Sequence, residues 1–218
     1  MGRRLSISFD LDGTLTDLSF VDGVWLEGIP GLVARKQGIS YQSAFEQCVN
    51  AYRSVGDASI RWYQISYWLE RFGLLDVDPE NLISDYIPRI SLFSDVLPVL
   101  SHLRSGGHTL FVFSNASRAF LDREVSCCGL GPFFQEIISV PDDWSMVKSD
   151  PDSYRKLKQK IGVNFIHVGD HLAYDWEIPR SIGIEAYHLC RGSGTRTKDS
   201  LSNLDELAYR IPGAREER

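Results

Sequence analysis

No apolar run in this 218-residue chain approaches the length of a membrane-spanning helix. Basic character is also scarce. Lys and Arg number 23 against 29 Asp and Glu, the net charge is −6, and no basic stripe breaks that balance. A nucleic-acid binder needs such a stripe to neutralise phosphates, so neither a nucleic acid nor a membrane is an expected partner. Cysteine is sparse as well: Cys48, Cys127, Cys128 and Cys190 include no pair at zinc-finger or thioredoxin-type spacing. Adjacent Cys127 and Cys128 suit a disulfide poorly, which points to buried thiols in a reducing compartment. Arg3-Arg4 leads into charged Asp10 rather than an apolar signal core, so the cytoplasm is the expected location. What is left is a globular chain, 43% hydrophobic and 24% charged, long enough for one domain with an insert.

The most informative stretch is LSISFDLDGTLT, residues 5–16. Apolar Leu5, Ile7 and Phe9 alternate and stop at Asp10-Leu11-Asp12-Gly13-Thr14, as in a buried strand that delivers two carboxylates at its end. Side chains two apart share one face of a strand, so Asp10 and Asp12 would repel each other. The repulsion is relieved if a divalent cation lies between them or if one carboxyl keeps its proton. Gly13 lets the backbone turn away, and Thr14 offers a hydroxyl to an aspartate or the main chain. Read alone, the same residues also suit a plain Asp-Gly turn.

Further along, residues 17–31 read as loop. Residues 40–55 have helical apolar spacing with Ser40 as N-cap, and residues 59–72 repeat it, with Gly73 as a stop. Pro79 opens another helical stretch that ends before Pro88. No comparable strand signal interrupts residues 32–87. From Ser94 onward helices and strands alternate. Helices are expected at 95–104 (Ser94 as cap), 117–128, 151–161, 173–182 and 200–210, with fraying over 213–218. Strands are expected at 108–114, 136–140, 164–168 and 184–189. The expected fold is therefore α/β: a Rossmann-like parallel sheet with helices on both faces, plus an inserted small α-helical unit. Residues 1–16 and 91–218 form the core in this reading, and residues 17–90 form the insert. Ligands of such sheets bind at the carboxyl ends of strands. Three of those ends are polar here: Asp10 to Thr14, Ser114-Asn115 and Gly169-Asp170.

Taken singly, these residues have ordinary readings. Lys148 reads as a solvated loop lysine, Ser114-Asn115 as a helix cap, and Asp170 and Asp175 as acids at a helix start. Their order along the chain says more. DxDGT, an apolar strand ending in Ser, a lysine in KSDPDSY and then GDHLAYD together resemble the haloacid dehalogenase-like hydrolase superfamily, over about residues 5–189. The resemblance implies that Asp10 is a nucleophile that becomes an aspartyl phosphate, and that Asp12 is the general acid/base. It implies Mg2+ held by Asp10, the Asp12 main-chain carbonyl and Asp170. Ser114, Asn115 and Lys148 would bind the transferring phosphoryl group, Thr14 would orient Asp12, and Asp175 would support Lys148 or a metal-bound water.

Within that superfamily, dehalogenases carry an aromatic residue at position 12 and need no metal, so Asp12 points to a phosphatase. The helical insert resembles a C1-type cap, which closes over small phosphorylated metabolites. A phosphomutase would need basic residues for a second phosphate, and residues 17–31 contain no Lys, Arg or His. A non-enzymatic phosphoaccepting signalling domain is the remaining alternative, though such domains are shorter and uninterrupted. Trp25, Trp62, Tyr63, Tyr67 and Trp68 make the insert aromatic, either as its own core or with Trp25 or a neighbour lining the pocket. His171 follows Asp170 at the site, and residues 191–194 follow the last strand on the ligand side, as rim or as surface loop.

Overall fold

The computed structural model describes residues 4–192 and 194–211. Its sheet comprises β1 (Ser6–Phe9), β2 (Thr109–Ser114), β3 (Glu136–Ser139), β4 (Phe165–Gly169) and β5 (Glu185–His188), in the order β3-β2-β1-β4-β5. Every pairing is parallel. β1 is central, with Phe9 in register with Val112 on one side and Val168 on the other. Alternation sorts the side chains into two layers. Ile7, Phe9, Leu110, Val112, Ile166 and Val168 enter one apolar cluster, while Phe113, Ile138 and Phe165 enter another on the opposite face. Ser8 and His167 are paired in register and buried on that second face.

Helices cover both layers. The first is covered by α6 (Val96–Ser105) and α11 (Leu204–Arg210), through Val99, Leu103, Leu204 and Leu207. The second is covered by α8 (Val140–Trp144) and α9 (Pro151–Ile161), through Val140, Tyr154 and Leu157. Full burial of such side chains contributes roughly 1.5–3 kcal/mol each, which makes the sheet a rigid base for its strand ends. α7 (Arg118–Cys127) follows β2, and α10 (Ile178–Ser181) precedes β5.

Between β1 and α6 the chain leaves the sheet and returns at one place. The Asp17 N–H donates to the Ser91 carbonyl (2.9 Å), and the Phe93 N–H donates to the Leu15 carbonyl (3.1 Å). The excursion is helical: α1 (Ser19–Asp22), a π turn (Gly23–Gly28), α2 (Ile29–Gln37), α3 (Tyr41–Val55), α4 (Ile65–Arg71) and α5 (Pro79–Ser84). It has its own apolar cluster, including Phe20, Val24, Cys48, Trp68 and Ile83.

Several boundaries differ from the sequence reading. Residues 17–31, expected as loop, are helical from Ser19 onward. Gly23 and Gly28 suggest a loop by propensity, but a side chain at Gly23 would strike the Tyr86 ring, and one at Gly28 would crowd Leu82 and Tyr86. Close packing there overrides local preference. The helix expected over 59–72 is split at extended Gln64 into a 3₁₀ turn (Ile60–Tyr63) and α4. α6 is flanked by Asp95 rather than capped by Ser94, and α11 starts only at Leu204, where the Asn203 side chain accepts the Glu206 N–H (3.1 Å). Ser40 does cap α3, accepting the Ser43 N–H at 3.1 Å. The expected fraying of residues 213–218 falls outside the described residues. No described helix is long and apolar enough to cross a membrane, and all four cysteines are free.

Candidate active site

The carboxyl ends of β1, β2 and β4 converge, as a parallel sheet requires. Asp10 follows β1 directly and is anchored when its N–H donates to the Val168 carbonyl (2.9 Å). The turn after it is tight, with the Thr14, Leu15 and Thr16 N–H groups all donating to the Leu11 carbonyl. Gly13 has φ +76°, and a side chain there would collide with the Asp170 carboxylate. Only glycine meets both demands.

Lys148 is buried, and its Nζ donates to Asp10 Oδ1 (2.5 Å) and Asp175 Oδ1 (2.6 Å). Asn115 places the lysine loop, because its Oδ1 accepts the Lys148 N–H at 2.9 Å. Its Nδ2 donates one hydrogen to the Tyr63 hydroxyl (2.8 Å). Ser114 Oγ accepts the Ala116 N–H (3.0 Å), leaving its own proton free to donate.

Asp175 accepts four hydrogen bonds: from Lys148, from Tyr154 Oη (3.3 Å), from His167 Nε2 (3.0 Å) and from the His171 N–H (3.0 Å). Four is about a carboxylate's capacity, so Asp175 supports the lysine and is saturated in doing so. Burial opposes its ionisation, but Lys148 and His167 override burial and hold it well below the usual carboxylate range. Asp10 and Asp175 override the burial of Lys148 and keep it charged. His167 is lowered by burial and therefore neutral. The tautomer that satisfies the network donates from Nε2 to Asp175 and accepts from Ser8 Oγ at Nδ1 (2.8 Å).

The Asp12 carboxyl has a neighbour that sequence reasoning missed. It is buried close to Glu124 of α7, where Asp12 Oδ1 and Glu124 Oε2 both lack a donor, and burial together with the Glu124 charge pushes it well above the ordinary carboxylate range. Glu124 Oε1 also accepts from Thr16 Oγ1 (2.7 Å). Thr14 was the residue expected to orient Asp12, but its Oγ1 is buried without a hydrogen-bond partner. Its carbonyl is instead held by Arg191 (2.8 and 3.2 Å), which also donates to Asp95 (2.9 Å). Arg191 therefore secures the turn rather than the pocket rim, and Ser193 of that loop is outside the described residues. His171 stacks on Tyr174 (4.0 Å, 10°) in the pocket wall, and the Tyr174 hydroxyl donates to Asp57 of the helical block (2.6 Å).

Glu124 carries a pH prediction. Burial raises it from 4.5 to about 7. Between those values the unfolded chain has released a proton that the folded chain keeps, so stability falls as pH rises through the window. Glu124→Gln keeps an acceptor for Thr16 and removes this slope. Metal-free protein carrying it should be more stable than wild type at pH 8 by on the order of 1–3 kcal/mol, and nearly equal to it at pH 4. Urea unfolding at the two pH values measures this, and an unchanged difference between them contradicts it.

The residue types suit a hard cation. Carboxylate oxygens of Asp10, Asp170 and Asp175 lie within 4.8 Å of one another. Four carboxyls (Asp10, Asp12, Asp170, Asp175) feel the Lys148 charge, and burial plus mutual repulsion raise Asp10 and Asp170 despite the lysine. With Asp175 already saturated, Asp10 and Asp170 have oxygens to spare.

Acids at the ends of neighbouring parallel strands, gathered around a buried lysine beneath a helical block, define a hydrolase-type α/β site. A haloacid dehalogenase-like hydrolase family model matches residues 6–183, and the chain belongs to that family. The GMP/IMP nucleotidase YrfG of Escherichia coli is 29% identical over 134 residues, 62% of this chain and 59% of that protein. The chain thus spans under two thirds of that relative's length. An (S)-2-haloacid dehalogenase of Pseudomonas sp. strain YL is 30% identical over 168 residues, 72% of this chain and 69% of that protein. A HAD phosphatase from Thermococcus onnurineus shares the fold, with TM-score 0.84 at 24% identity over 96% of this chain and 98% of that one.

Proposed function

We propose that this hydrolase is a Mg2+-dependent phosphatase that cleaves a small phosphate monoester through an aspartyl phosphate on Asp10, beneath residues 17–90 as its cap. The observation that carries the reading is the ion pair between buried Lys148 and Asp10 in the lining of a cavity of about 460 Å³. A carboxylate that attacks a phosphate dianion meets repulsion of about 4 kcal/mol per unit charge pair at ~4 Å and an effective dielectric of ~20. Lys148 offsets part of it. The Asp10 and Asp170 carboxylates with the Asp12 main-chain carbonyl would hold Mg2+, which supplies the remaining charge neutralisation when bound.

Asp10 attacks phosphorus, and Ser114 Oγ with the main-chain N–H groups beside it steadies the phosphoryl oxygens. Asp12, kept protonated by burial and Glu124, gives its proton to the departing alkoxide. The resulting carboxylate takes a proton from the water that attacks the aspartyl phosphate. Asp175 and Asn115 keep Lys148 in place throughout. An acid at position 12 suits an oxygen leaving group, which needs a proton; a halide does not.

Turnover of p-nitrophenyl phosphate with and without Mg2+ tests the reading. Repeated Mg2+-dependent turnover, with no halide release from 2-chloropropionate, is the expected result. A single stoichiometric burst, or halide release, contradicts it. Asp170→Ala should raise the Mg2+ concentration for half-maximal rate at least tenfold; an unchanged requirement removes Asp170 from the ligand set.

A further inference from the structure

The cavity over Asp10 holds more space than a phosphoryl group fills, and its remaining wall states what else the ester carries. Away from the acids the lining is apolar and aromatic: Val21, Trp25, Val49, Tyr52, Trp62 and Phe120. Trp25 lies parallel to Phe120 (5.5 Å, 19°) and meets the edge of Tyr52 (6.1 Å, 88°), so these rings are held flat and rigid. Trp62 stands edge-on to Tyr52 from the other side (5.9 Å, 71°).

The hydroxyls nearby are already engaged. Tyr52 donates to the Trp25 carbonyl (3.0 Å), Tyr63 to the Asp57 carbonyl (2.9 Å) and Tyr174 to the Asp57 carboxylate (2.6 Å). A polyhydroxylated leaving group would lose water here and gain few partners, which costs free energy. Charge selects as well. Asp22 and Asp57 line the cavity, and Arg53 is the only cation lining it, among the described residues, besides the already paired Lys148. A carboxylate or second phosphate on the substrate would meet more acids than bases. Ser117, in the same lining, carries a buried hydroxyl without a hydrogen-bond partner. A mostly apolar, aromatic wall suits a flat ring system.

Building on the phosphatase reading, we propose that the leaving group carries an uncharged aromatic ring system, with nucleoside monophosphates as the substrate class, and that Trp25 is a specificity-determining residue for the ring. Bases stack on aromatic side chains tolerantly of sequence, and the loss on removing one such ring is typically tenfold or more.

The test compares kcat/KM for the common nucleoside 5′-monophosphates with ribose 5-phosphate, which keeps sugar and phosphate but lacks the ring, and with phosphoglycolate, which adds a second anion. The best nucleotide should exceed both by at least tenfold. Trp25→Ala, or Trp62→Leu if the first variant does not fold, should narrow the nucleotide-to-ribose 5-phosphate ratio below about threefold, chiefly through KM. Equal rates on ribose 5-phosphate, a preference for phosphoglycolate, or an unchanged ratio in the folded variant overturns the proposal. p-Nitrophenyl phosphate serves only to report active enzyme. If no ester is turned over with Mg2+ present, the phosphatase reading has failed. The ring preference is then read from tryptophan fluorescence quenching of the Asp10→Asn protein. Equal affinity for nucleoside monophosphate and ribose 5-phosphate there overturns it.

Discussion

Asp10→Asn is expected to abolish steady-state phosphate release while leaving the protein folded. The substitution keeps the side chain's shape and one oxygen for Lys148, so the packing around β1 has no reason to change. An amide oxygen is a far weaker nucleophile than a carboxylate, and the covalent route ends with it. Loss of the Asp10 charge also relieves a crowded acid cluster, because burial and the Asp175 charge both raise the Asp10 carboxyl. The variant should therefore be at least as stable as wild type in the absence of metal. Phosphate release within tenfold of wild type would remove Asp10 as nucleophile. A variant that unfolds would show that the Lys148 pair has a larger structural share than the reading gives it.

Lys148→Ala should damage both rate and fold. The lysine side chain is 3% exposed, and it bridges Asp10 and Asp175, which are 9% and 0% exposed. Removing one partner of a buried ion pair leaves the other charge uncompensated and typically costs about 3–5 kcal/mol. The two acids would then take up protons, so the variant should lose more stability at pH 8 than at pH 5. Denaturant unfolding at both pH values, with activity measured on the fraction still folded, separates the two effects. A variant as stable as wild type and within tenfold of its rate would contradict the account. Mg2+ should restore part of the lost stability, since the acids it would neutralise are those the lysine leaves behind.

Much of this arrangement was legible in the residues, for definite reasons. The strands were readable because Ile7 and Phe9 alternate with serines and Leu110 to Phe113 form a short apolar run closed by polar residues, and all five stand within a residue or so of the expected places. Asp10, Ser114 and Asp170 were readable because they close strand ends, whereas Lys148 and Asp175 were readable only through the order of motifs that resembles the family; all five line one cavity. What escaped depends on tertiary contact. His167 sits inside an apolar strand, and its meaning comes from Ser8 across the register and from Asp175 beyond it. Glu124 was within reach: it is four residues after Phe120, on the face of α7 that turns inward, where a carboxyl without a reason is rare. The Thr14 hydroxyl does not reach Asp12; the hydroxyl of Thr16, two residues on, donates instead to Glu124 of α7, in a turn gathered by the Leu11 carbonyl. The helical run that begins at Ser19 hid behind glycines whose purpose is clearance for Tyr86.

The decisive observation is the chemical state of one side chain during turnover. Wild-type protein mixed with Mg2+ and a rapidly cleaved phosphate ester, quenched in acid within a few turnovers and digested, should yield a phosphorylated peptide containing Asp10. The label should be absent from Asp10→Asn and should disappear from wild type once substrate is exhausted. Turnover with no phosphorylated peptide at any quench time, or with the phosphoryl group on another residue, would contradict the mechanism at its first step.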